Sequence, residues 1–181
     1  MKTLIASLLG SLLTLAAASA VAPKPEMIHP RIADYGGIVQ IPGAVEPPRA
    51  GAKVVFDITS ESPVDKPHKG LEAVARYLNL TAGAGVPVEG LKLTAVLHGG
   101  AAKTVLNDAA FQAATKVEQN PSLELIRRLQ ANGVEVLVCG QALARQGYPI
   151  DGVVKNVPIA VSALTANINR QQDGHLPVAI H

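Results

Sequence analysis

The chain has 181 residues, 48% of them hydrophobic and 17% charged, with a mean hydropathy of +0.25, which excludes a disordered chain and a coiled coil. Sixteen Lys and Arg against fourteen Asp and Glu leave a net charge of only +2, too balanced for nucleic acid or an anionic membrane surface. Three Tyr, two Phe and no Trp give few stacking platforms for bases or sugars, and the single Cys excludes an intrachain disulfide.

Residues 1–20 read as a secretory signal. Lys2 precedes an apolar stretch from Leu4 to Ala18, and Ala18-Ser19-Ala20 is the small-x-small site that signal peptidase cuts. Ser7, Gly10, Ser11 and Thr14 interrupt the stretch, which argues against a stable membrane anchor, and no Cys follows Ala20 to carry a lipid. The expected location is the periplasm, an oxidising compartment in which one unpaired Cys is buried, reactive or protected by a partner. The rest of the chain is long enough for one full-sized core, so a single domain is expected.

Residues 21–50 hold six of the thirteen prolines (Pro23, Pro25, Pro30, Pro42, Pro47, Pro48) as well as Gly36 and Gly37, and they read as an extended arm. Ile32, Tyr35, Ile38, Val39 and Ile41 make it too apolar for a solvated linker, so it is expected to lie along the domain or a neighbouring subunit.

The domain is expected over residues 51–181. Val54 to Ile58 predicts a buried strand, and Leu71, Val74, Ala75 and Leu78 place one apolar stripe on a helix over 67–79, stopped by Gly83 and Gly85. Leu91 to Leu97 predicts a second strand running into His98-Gly99-Gly100, then a weaker helical stretch through Val105, Ala109 and Ala113. Asn120-Pro121 reads as the start of a helix with Leu125, Ile126 and Leu129 inward and Asn132-Gly133 as its stop. Val134 to Val138 predicts a third strand, leading directly into Cys139-Gly140. Val153-Val154 is a short strand candidate, and a helix from Pro158 to about Gln172 carries Val161, Leu164 and Ile168 on one side. A final apolar run, Leu176 to Ile180, contains Pro177 and is therefore an edge strand. This alternation needs crossover connections, so the expected fold is an α/β three-layer sandwich with a mainly parallel sheet of about five strands.

In such a sheet ligands sit at the carboxyl ends of the strands, where sequence order places His98 and Cys139. The sequence has no phosphate loop, dinucleotide fingerprint, nucleophile elbow, H-E-x-x-H or C-x-x-C, and the spacing of its five histidines suits no metal. No metal or cofactor is expected. Cys139 stands where a strand turns into a helical segment, close to free backbone N–H groups that favour thiolate over thiol. The same position also suits a small apolar side chain filling a strand end. Gly140 allows close backbone approach, and Gln141 offers a donor without charge. His98 is a candidate cation or donor beside the sulfur, or simply a His closing a strand. Asp57, Thr59 and Ser60 are read as closing and capping the first strand.

Leu137-Val138-Cys139-Gly140-Gln141-Ala142, with Leu97-His98-Gly99 at the end of the second strand, resembles the DsrE/DsrF family of sulfur-relay proteins. The stretch from Gly147 to Asp173, with Val157-Pro158-Ile159-Ala160 before the last helix, is similar to the secreted members of that family. The resemblance implies that Cys139 accepts a persulfide sulfur; it implies no comparable role for His98, which with Gly140 and Gln141 is a candidate substrate-binding residue from its position alone. It also implies a trimer or hexamer and a sulfur donor or acceptor protein as partner. The leader and the Pro-rich arm depart from the cytoplasmic pattern, so the usual relay partners do not carry over. Two functions compete: a periplasmic sulfur carrier or sulfurtransferase, and a non-catalytic oligomeric binding module in which Cys139 only packs. A thiol peroxidase is a thinner third reading, since the chain has no resolving Cys.

Overall fold

The computed structural model describes residues 24–181, so the signal segment at 1–20 lies outside the described residues. Five strands, β1 (Lys53–Ile58), β2 (Lys92–Leu97), β3 (Val134–Cys139), β4 (Ile159–Ala160) and β5 (Leu176–Ile180), form one sheet in the order β4-β3-β2-β1-β5. Every pair of neighbours is parallel. The helices are α1 (Lys69–Gly83), α2 (Asp108–Thr115), α3 (Leu123–Ala131), α4 (Gly140–Gln146) and α5 (Ala163–Gln172).

The inner strands are apolar because helices cover both faces of the sheet. Val54, Phe56 and Ile58 face α1, where the Phe56 ring meets Tyr77 edge-on at 5.9 Å. Leu71, Val74, Ala75 and Leu78 are fully buried, as the stripe at i, i+3, i+4 and i+7 requires. Helix α3 packs beside α1 on this face, while α5 covers the other, where Asn167 and Arg170 bond Asp57 and Glu135. The result is the three-layer α/β sandwich that the alternation of elements predicted.

Four elements differ from expectation. Val153-Val154 is not a strand of the sheet: Val153 forms an isolated antiparallel bridge with Leu106, and Val154 N donates to Val105 O. The fourth strand is Ile159–Ala160, only two residues long, held because its backbone meets Val138 and Cys139. The last helix therefore starts at Ala163 instead of Pro158, with Ser162 as its N-cap, its Oγ accepting from Thr165 N. Helix α3 likewise begins two residues after Pro121, and Asn120 is a buried brace. Its Nδ2 donates to Thr104 O and Leu106 O, and its Oδ1 accepts from Ser122 N.

The arm is tied to the domain through part of its length. Ile28 and Ile38 exchange two backbone hydrogen bonds, and Ile32 enters the core. Asn79 of α1, fully buried, accepts from Arg31 N and Ile32 N and donates to Tyr35 O and Gly36 O. Gly36 has a φ of +59°, and a Cβ there would lie 2.3 Å from Arg76 N, so only glycine lets the loop approach α1. Beyond it, Ile41 and Val45 are exposed.

Candidate functional site

Because β1, β2 and β3 are parallel, their carboxyl ends lie along one edge of the sheet. The β2–β3 ladder ends with Leu97 beside Val138, and His98 and Cys139 are the residues that directly follow that last pair. Strand alternation sends both side chains out on the face that carries α5, as it does Asp57 and Glu135.

Cys139 is the last residue of β3 and the N-cap of α4, and its Sγ accepts from Ala142 N at 3.4 Å. The sulfur thus has one backbone donor, as the strand-to-helix position led us to expect. The residue is buried, with 5% of its surface exposed. Gly140 lies against β4, and a Cβ there would stand 3.1 Å from Ala160 O and 3.2 Å from Ile159 Cγ2. Gln141 is exposed on the first turn of α4. The glutamine that reaches the turn after β2 is Gln146, whose Nε2 donates to Gly99 O at 2.7 Å.

His98 turns its Nε2 to Asp57 Oδ1 at 2.7 Å, and both side chains remain about a quarter exposed. A carboxylate has no proton to give, so Nε2 carries the hydrogen and the tautomer is set. The same carboxylate oxygen accepts from Asn167 Nδ2 at 2.7 Å, while Asn167 Oδ1 is buried without a hydrogen-bond partner. Asn167 had no place in the sequence reading, although a polar residue next to the inward Ala163 and Ala166 was the available signal. Thr59 Oγ1 and His181 Nδ1 lie 3.0 Å apart beyond β1.

His68 serves the fold. Its Nδ1 accepts from Gly70 N as the cap of α1, and its Nε2 faces Ser60 O. Burial pushes the imidazole below its ordinary 6.5, opposed in part by the bond to Ser60.

Among the described residues, no group of three or more His, Cys, Asp or Glu is placed to hold a metal ion. No described helix is long and apolar enough to cross a membrane. A groove of about 580 Å³ runs between arm residues 38–48 and α1, and none of Asp57, His98, Cys139 or Asn167 lines it.

Among solved structures, the chain is similar to a protein of unknown function from Methanobacterium thermoautotrophicum, at 19% identity and a TM-score of 0.52 over 71% of this chain and 99% of that one. At that identity the likeness shows the fold alone. No curated protein matches the chain. The model of the DsrE/DsrF-like family matches residues 53–176, a span that runs from the first residue of β1 to the first of β5 and contains His98 and Cys139. The chain therefore belongs to the DsrE/DsrF-like family.

Proposed function

We propose that this protein is a periplasmic sulfur carrier or sulfurtransferase that holds a persulfide on Cys139 and works as a homo-oligomer. The observation that carries the reading is the placement of the one thiol. It ends a central strand and receives a backbone N–H, within the span that the family model matches. Sulfur transfer at this thiol consumes no oxidant. The Cys139 thiolate attacks the outer sulfur of a donor persulfide, a new Sγ–S bond forms as the donor S–S bond breaks, and the donor leaves as a thiol.

Export is supported by the leader of residues 1–20. Assembly is supported by an apolar surface left open among the described residues: Val161, Leu164 and Ile168 are 76%, 71% and 46% exposed. A trimer or hexamer buries that stripe, and a sulfur donor or acceptor protein approaches the carboxyl edge of the sheet. The test is incubation of the purified protein with glutathione persulfide, followed by release of the bound sulfur with a reductant. Wild type is expected to release one sulfur per chain and Cys139→Ser none; equal release from both would refute the reading.

A second reading, a non-catalytic oligomeric binding module, is favoured by the burial of Cys139 among core residues. It requires iodoacetamide to modify the thiol only after the protein is unfolded.

A further inference from the structure

We infer that residues 158–161, which contain β4, form a strap that closes over Cys139 and lifts to admit reagents to its thiol; as a gate for sulfur the strap rests on the sulfur-carrier reading. Strand β4 is the outermost strand beside β3, and its Ala160 pairs with Cys139 in register. Paired residues of parallel strands point to the same face, so the Ala160 methyl stands beside the Cys139 side chain. The next residue, Gly140, meets the strap directly. A Cβ there would stand 3.1 Å from Ala160 O, 3.2 Å from Ile159 Cγ2 and 3.6 Å from Val161 O, so glycine lets the strap lie closer than a side chain would.

The elements around Cys139 differ in how firmly they are held. Leu97 of β2 and Leu143 of α4 are fully buried, and Ala163 of α5 is buried as well. The strap has no comparable anchor: Ile159 and Val161 are exposed, and only Ala160 packs against the core. Its two ends, by contrast, are fixed. On one side Val157 is buried and Asn156 exchanges two hydrogen bonds with Gln130 of α3; on the other Ser162 caps α5. Between these ends the strap is tied to β3 by the short ladder beside Val138 and Cys139, with Val138 N donating to Pro158 O at 3.1 Å. Segments with few buried apolar contacts open locally at far less cost than global unfolding, so the strap is the wall that opens first. Down, it shields the sulfur from oxidants in solution; lifted, it exposes the thiol while β3 stays in the sheet.

The test measures iodoacetamide alkylation of Cys139, hydrogen exchange of the Val138 amide and sulfur gain from glutathione persulfide in wild type, Gly140→Ala and Ala160→Gly. Native alkylation should be independent of urea below the unfolding transition and at least about a hundredfold faster than global unfolding allows, and the Val138 amide should exchange with the same opening constant. Gly140→Ala sets a methyl against the strap and should raise both rates about tenfold, toward the lower end of what overpacking costs. Ala160→Gly removes the one methyl that the strap packs inward and should raise them about threefold, which keeps the test open should Gly140→Ala fold poorly. Alkylation that follows the urea dependence of global unfolding, or that neither variant changes, refutes the strap. If sulfur is gained at a rate that ignores variants in which alkylation is faster, the strap is refuted as the gate and the carrier stands. If the variants speed alkylation and no protein gains sulfur, the carrier reading fails and the strap stands.

Discussion

Asn79 shows how much one side chain contributes here. Its amide satisfies four backbone groups of the arm from a fully buried position on α1. In sequence it reads only as part of Asn79-Leu80-Thr81, a glycosylation pattern, because its partners lie more than forty residues earlier. Replacing Asn79 by Ala orphans those groups and should cost about 2–4 kcal/mol in denaturant unfolding, with new protease cleavage in residues 28–40. Retained stability and an uncut arm would contradict this role. His68 gives a second prediction. Its buried ring is held neutral, so its folded-state pKa lies below the unfolded 6.5. Below about pH 6.5 the unfolded chain binds the extra proton first, and stability falls as the pH drops toward the folded-state value; above 6.5 this contribution is fully present. His68→Asn keeps a capping side chain without titration, and its stability should lose that part of the slope between pH 5 and 6.5. An unchanged slope would assign the dependence to other groups.

At the scale of elements, legibility in the sequence followed the source of each element's stability. Strands β1, β2, β3 and β5 and helix α1 carry their own signal, because β-branched runs and a 3.6-residue stripe reflect burial that the sequence must supply. Strand β4 does not: two residues have no pattern, and only pairing with Val138 and Cys139 makes them a strand. Helix α5 misleads for another reason. Its apolar residues Leu164 and Ile168 point outward, while Ala163 and Ala166 face the sheet and let the helix come close. On the homo-oligomer reading the outward stripe is the covered surface, so Leu164→Glu with Ile168→Glu should reduce the mass in solution to that of one chain without lowering helix content. Light scattering checks this, and an unchanged mass would move the interface elsewhere.

Across the whole molecule, strand order turns residues far apart in sequence into one edge: Asp57 is the penultimate residue of β1, His98 directly follows β2 and Cys139 ends β3, three adjacent parallel strands. Cys139 and His98 were legible because each directly follows or ends a strongly apolar strand. The bond from His98 to Asp57 and the contribution of Asn167 were not, since neither spacing nor composition encodes which strand neighbours which. The central claim is that this edge holds a sulfur-accepting thiol, although Cys139 is 95% covered in the single chain. The most direct measurement is the intact mass of the native protein, purified under non-reducing conditions and incubated with a persulfide donor. The account predicts a gain of one sulfur atom per chain, placed on Cys139 by peptide mapping and absent from Cys139→Ser. An unchanged mass for the native protein, with sulfur gained only after unfolding, would contradict it.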